Sequence, residues 1–314
     1  MKRGLIQWDQ SELPAAAFAE RLASCDKIMA EHDVPALVVY TDVGRSNDVR
    51  YVSNYMPYWN RAFSVVPRGG KPILLCALSP RVYPWIKTVT IHETIVASPS
   101  LPAQLAKLCA ERSWATIGIV DHAGLPNDLY TQIAAEQFGV VDIPRGALRP
   151  VPTDAEISMH RRAAKLAREI LTNEIGSGVI GQTDHAFAGH LERKLRRAGA
   201  EDLVLLVSNG RHAPRPPSGE RVDSHFSAVV ALEYSGHWAK VSRNAAGVQC
   251  ALPPIPGTTV HRETLSGNYA WESIANGDDT RDAVVSLQVE IGRDGRRLFY
   301  GDTCLQSRGT VTTL

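Results

Sequence analysis

Residues 207–247 read VSNGRHAPRPPSGERVDSHFSAVVALEYSGHWAKVSRNAAG, and the side chains able to do chemistry gather there and just beyond. His212 stands in a proline-rich turn, HAPRPP. Imidazole titrates near neutrality, so a histidine held in a pocket takes and returns a proton without a cofactor; in an open loop it only meets solvent. Lys240 either offers one fixed positive charge to a carboxylate or developing oxyanion, or is an exposed lysine on an edge strand. Gln288 donates and accepts hydrogen bonds to an amide or carboxylate. Glu272, beside Trp271 in SGNYAWES, is a general acid or base if it points inward. His237, in the turn YSGH, is a packing residue or a substrate contact. No HxxxH, HxxE or CxxC spacing suggests a metal site, and no GxSxG turn marks a serine nucleophile.

These residues need a framework. An amphipathic helix over 12–32 is followed by short apolar runs, ALVVYT, FSVVP, KPILLCAL, TIVASP and TIGIVDH, alternating with helical patterns at 101–112 and 126–138. That is the pattern of an α/β domain with buried strands, over residues 1–150. The proline-spaced run at 144–154, PRGALRPVPTD, breaks it and is read as the connection to a second domain, 151–314. Thr153 followed by Glu156 predicts a capping box at the head of a long helix with Ile157, Ala164, Ile170 and Leu171 on its apolar side. A second helix is expected over 183–197, then strands at 203–208, 226–234, 238–241, 284–291 and 301–306. Two helices laid over a largely antiparallel curved sheet make the second domain α+β.

At 314 residues and 44% hydrophobic content the chain can fill two cores. A formal net charge of +1 gives no general attraction for nucleic acid or anionic membranes, so neither is expected as a partner. There is no 18-residue apolar run, and MKRGLIQWDQSELP lacks the core of a secretory leader. Five scattered cysteines, Cys25, Cys76, Cys109, Cys250 and Cys304, fit buried thiols in a reducing cytoplasm.

The EYSG turn, the Ser242-Arg243 pair, and the runs VVSLQVEI and GDTCLQSRGTVTTL resemble the creatinase and aminopeptidase P family, whose second domain is the pita-bread fold. RYVSNYMPYWNRAFSVVPRGGKPILLC is similar to the same family's N-terminal domain, so the resemblance covers nearly the whole chain. In the family's peptidases two aspartates, two glutamates and a histidine hold two dications. Register against the turn places Val229 and Lys240 at the aspartates, and Gln288 and Gly301 at the glutamates; SGNYAWES, residues 266–273, replaces the histidine segment. The resemblance therefore implies a metal-independent protein with no cofactor.

His212 precedes Val229 by 17 residues, which matches the family's pocket histidine, the proton-transfer group in metal-free creatinase. Arg61, in NRAF, resembles an arginine that in creatinase-like homodimers reaches the neighbouring subunit's pocket and holds a substrate carboxylate, a task suited to its fork. Tyr58 and Trp59 line that pocket mouth or a dimer interface. Creatinase's own cationic substrate is disfavoured, because Ser242 and Gly301 stand where its counter-charges would be.

The expectation is a metal-independent enzyme acting on a small anionic, amino-acid-like, carboxylate-bearing molecule. His212, Lys240 and Glu272 are its candidate catalytic groups. Arg61, Tyr58, Trp59, His237, Ser242, Trp271 and Gln288 are its candidate substrate contacts. Hydrolysis of a C–N bond follows by analogy; lyase, cyclase and isomerase chemistry use the same groups. The competing expectation is an inactive pita-bread module that binds a peptide or small ligand.

Overall fold

A computed structural model describes residues 7–57, 59–148, 151–252, 259–265 and 282–314. The chain divides into two compact units, Met1–Pro150 and Val151–Leu314. The described first unit runs α1 (Ala15–Glu31), β1 (Ala36–Thr41), α2 (Asn47–Ser53), β2 (Ala62–Pro67), β3 (Ile73–Cys76), α3 (Tyr83–Val89), β4 (Thr94–Ala97), α4 (Leu101–Glu111), β5 (Thr116–Val120), α5 (Asn127–Ala134) and β6 (Gly139–Ile143). Its strands form one mixed sheet in the order β4-β3-β2-β1-β5-β6. β1 is central and wholly buried, because both sheet faces are covered. Leu37 and Val39 face α1, α2 and α3 through Ile28, Val52 and Ile86. Ala36, Val38 and Tyr40 face α4 and α5 through Leu105 and Ile133.

The second unit opens with α6 (Asp154–Gly176) and α7 (Asp184–Arg197). The Thr153–Glu156 capping box forms in both directions and fixes where α6 starts. Thr183 caps α7, and Lys194, Arg196 and Arg197 lie in its last turn, where the helix dipole favours cations. An antiparallel seven-stranded sheet follows, from β7 (Asp202–Ser208), β8 (Ser227–Tyr234), β9 (His237–Asn244), β10 (Thr259–Thr264), β11 (Ala283–Arg293), β12 (Arg296–Ser307) and β13 (Thr310–Thr313). Its order is β10-β11-β12-β9-β8-β7, with β13 on β12. One face packs on the helices: Ala163, Ala167 and Leu171 of α6, and Phe187 and Leu191 of α7, meet Val230, Leu232, Ala239 and Val241. Small residues on α6 let the helix approach the strands closely.

The expected α/β first domain and α+β second domain are what the fold shows. Several boundaries differ from the sequence expectation. The expected helix at 12–32 begins only at Ala15, because Pro14 takes the capping position. The β9 and β12 strands run longer than the apolar runs that announced them, since their polar residues occupy the second face rather than ending the strand. The short helix α2 and the strands β6, β10 and β13 had no clear apolar period.

Candidate functional site

Strand register lines up the face of the second sheet that points away from α6 and α7. Val229 pairs with Ser242, Ser242 with Gly301, Gly301 with Gln288, and Gln288 with His261. Two residues along each strand, Ala231 pairs with Lys240, Thr303 with Ser286, and Ser286 with Glu263. The Lys240 N–H donates to Thr303 Oγ1 at 2.9 Å, which joins the two halves of this second row. Side chains two apart share a sheet face, so Val229, Lys240, Ser242, Gln288 and Glu263 all stand on this one.

Lys240 does not lie on an edge. It is on β9, inside the sheet and buried, and its Nζ donates to Glu263 Oε1 at 2.5 Å. Their strands are three spacings apart, about 14 Å at ordinary strand separation. The two side chains therefore stretch toward each other across the floor made by Thr303 and Ser286. Around this pair sit buried polar atoms with no hydrogen-bond partner among the described residues: Ser242 Oγ, Gln288 Oε1 and Glu263 Oε2. Gln288 is held by its amide nitrogen, which donates to Ser286 Oγ at 2.7 Å, so its oxygen is the end left over. Native proteins leave few such atoms, because each forfeits the hydrogen bonds it had in water.

His212 lies in the loop after β7. Ser208, one row from Val229 on the same face by register, donates its hydroxyl to the His212 carbonyl at 2.6 Å and so ties the loop to the β7 side of the site. The imidazole turns elsewhere. Nδ1 donates to the Ala213 carbonyl at 2.8 Å, and Nε2, without a hydrogen bond, stands 3.9 Å from Glu220 Oε2. Glu220 is itself gripped by Arg215 and by Asn209. The loop is anchored from outside by Asp184, at the head of α7, whose carboxylate accepts the Ser218 and Gly219 amides at 2.9 and 2.7 Å. Burial works to raise the Asp184 pKa, but these amides win and hold it below the usual carboxylate value. His212 thus stands nearest Glu220, while Lys240 pairs with Glu263.

The remaining candidates scatter. His237 leaves the site, because it pairs with Tyr234 on the helix side of the sheet, and its ring meets His160 of α6 edge to face at 5.2 Å. Arg61, on the first unit, is half-exposed and donates to Asp128 at 2.7 Å. That hydrogen bond raises the Arg61 pKa and lowers the Asp128 one. Beside it Trp59 is 65% exposed. Tyr58, Trp271 and Glu272 lie outside the described residues. Asp302, next to Gly301, serves the helix side: it accepts from Arg168 and Arg243, a buried carboxylate shared by two guanidinium groups.

The described residues that the resemblance aligns with metal ligands do not suit two dications. At the four described positions that the resemblance aligns with ligands, Val229, Lys240, Gln288 and Gly301, the side chains are an isopropyl group, an ammonium, a carboxamide and none at all. An ammonium fixed among them opposes a dication directly. Gly301 leaves no room for the carboxylate that would be needed, since a Cβ there would stand 2.3 Å from the Leu287 carbonyl and 2.4 Å from Gln288 Oε1. Among the described residues, no three His, Cys, Asp or Glu side chains gather where they could hold an ion.

Glu263, Glu220 and Asp184 are site residues that the sequence did not disclose. Glu263 sits in HRET, on a strand that follows a long run without a legible pattern. The strand reads TVHRET, with Arg262 and Glu263 adjacent, so no alternation marks which face Glu263 takes.

No family model matches the chain, and no curated protein matches it. Solved structures do. An Xaa-Pro dipeptidase from Bacillus anthracis superposes with a TM-score of 0.70 at 14% identity, covering 94% of this chain and 97% of that one. An X-Pro aminopeptidase from Thermotoga maritima gives 0.69 at 14%, covering 93% and 96%. A prolidase from Pyrococcus furiosus gives 0.68 at 16%, covering 94% and 98%. At such identities the likeness is one of fold, and the fold is that of the creatinase and aminopeptidase P type, an α/β domain followed by a pita-bread domain.

Proposed function

We propose that this protein is a metal-independent enzyme acting on a small, amino-acid-like, carboxylate-bearing molecule on the face that holds Lys240, with His212 as the proton-transfer group. The observation that carries this reading is the buried Lys240–Glu263 pair set among unpartnered polar atoms of Ser242 and Gln288. A face kept for stability alone would be apolar or fully hydrogen-bonded. The peptidase names of the similar structures support hydrolysis of a C–N bond. His212 supports proton transfer: its Nδ1 proton is committed to a carbonyl, which leaves Nε2 as the basic nitrogen, and Glu220 stands near enough to stabilise the imidazolium.

The assembly belonging to this reading is a homodimer in which Arg61, exposed on the first unit, holds a carboxylate in the partner's site. The compartment is the reducing cytoplasm, in keeping with five free cysteines. No described helix is long and apolar enough to cross a membrane.

His212→Ala is the test. Turnover, followed by mass spectrometry against a metabolite library on protein shown by elemental analysis to be metal-free, should fall by about 10²- to 10⁴-fold with the fold intact. Mixing His212→Ala with Arg61→Ala subunits should restore part of it. Retained full activity removes the base, and stoichiometric manganese, zinc or iron overturns the metal-independent chemistry.

A second reading also has an observation behind it. Lys240 and Glu263 lie across the face a substrate would use, and His212 faces Glu220. A binding module without catalysis fits that arrangement, and ligand binding with no turnover in the wild type would establish it.

A further inference from the structure

We infer that the Lys240–Glu263 pair is a charge-exchange site that selects a zwitterion, a molecule carrying both a carboxylate and an ammonium, over an anion or a cation of the same size. This rests on the reading above that the face is a small-molecule site, and it changes the substrate class from anionic to dipolar.

The argument begins with what the pair lacks. Lys240 and Glu263 are largely buried, with side chains 10% and 18% exposed, and they neutralise each other. Among the described residues, Glu263 Oε2 and Gln288 Oε1 have no donor, and Ser242 Oγ has no partner. Two of these are strict acceptors, and all three lie on the face the pair crosses. Ser242 is fully buried and Gln288 is 5% exposed.

A ligand entering this face must separate Lys240 from Glu263. An anion would reward the lysine and leave the glutamate buried and unpaired; a cation would do the reverse. Either leaves an uncompensated charge in a poorly solvated place, which outweighs the new contact. A zwitterion exchanges one internal ion pair for two external ones. Its carboxylate meets Lys240 Nζ and the Ser242 hydroxyl, while its ammonium supplies donors to Glu263 and Gln288 Oε1. The atoms now without partners are the ones such a ligand would satisfy. Glu263 is then the specificity-determining residue, since a lysine alone would accept any carboxylate.

Calorimetric titration and thermal shift would use matched probes: 4-aminobutyrate and glycylglycine as zwitterions, butyrate as the anion and butylamine as the cation. The wild type should bind a zwitterion at least about tenfold more tightly than either singly charged probe. Glu263→Gln should lose that preference and bind butyrate as well as 4-aminobutyrate. Because Glu263→Gln strands a lysine and can misfold, the reciprocal swap Lys240→Glu with Glu263→Lys supplies a second variant, which keeps the pair neutral and should keep the zwitterion preference. Butyrate binding equal to 4-aminobutyrate in the wild type overturns the inference, as does a preference that survives Glu263→Gln, or no binding of either zwitterion. Zwitterion binding without turnover of any bound zwitterion leaves the inference standing and removes the enzymatic reading instead.

Discussion

Lys240 and Glu263 show how little a residue's type says until its partner is known. A lysine on an apolar strand was open to two readings, a surface cation or a pocket charge, and the structure gives a third: a buried half of an ion pair. Desolvating both groups costs several kcal/mol per ion, which their attraction repays only while both remain. Lys240→Met should therefore destabilise the second unit by about 3–5 kcal/mol, because it leaves Glu263 charged and alone. Lys240→Met with Glu263→Leu should recover most of that loss. Denaturant unfolding of the two single variants and the double variant closes the cycle, and a double variant as unstable as the sum of the singles would show that the two do not act as a pair. The same scale explains why Gly301 stays glycine: its φ is not the issue, and the closeness of the Leu287 carbonyl is.

At the scale of elements, the site is a sheet face plus one loop, and these were legible to different degrees. The strands β8, β9, β11 and β12 could be read because their apolar runs and the EYSG turn fix their register, and register alone places Val229, Ser242, Gly301 and Gln288 in one row. Glu263 could not, because β10 is short and its face is set by pairing to β11 rather than by a pattern of its own. His237, open to a packing role or a substrate contact, shows how the hairpin sets a face. Within a tight hairpin a shift of one residue changes the face, and His237 falls on the side of α6. The loop from β7 to β8 was legible as a loop but not as a held one. Its amides at Ser218 and Gly219 depend on Asp184, whose depressed pKa reflects those two hydrogen bonds. Asp184→Ala should release the 209–226 loop, with faster amide exchange and proteolytic cleavage there and lower turnover, while α7 itself persists through its Thr183 cap. Unchanged exchange in the loop would mean that the Asn209–Glu220 contact is enough to hold it.

At the scale of the whole molecule, each unit has a core of its own, and the first holds a deeply buried histidine. His92 is 1% exposed, its Nε2 lies 2.9 Å from Ser64 Oγ of β2, and burial pushes its pKa down to about 3 from an ordinary 6.5. In the unfolded chain the ring recovers its usual affinity and binds a proton below about pH 6.5. Between those values the unfolded state holds more protons than the folded one, so stability is full above pH 6.5 and drains away as pH falls toward 3. By pH 5 the loss is about 2 kcal/mol. This contribution belongs to the first unit, so acid should weaken the sheet that His92 packs against. Hydrogen exchange read peptide by peptide at pH 7.5 and pH 5, corrected for intrinsic rates, should show protection in β2 and β3 falling relative to β8 and β9. His92→Gln removes the titrating ring, and the pH-dependent gap between the two sheets should shrink by that same amount. A gap of unchanged size in His92→Gln would assign the acid sensitivity to some other group.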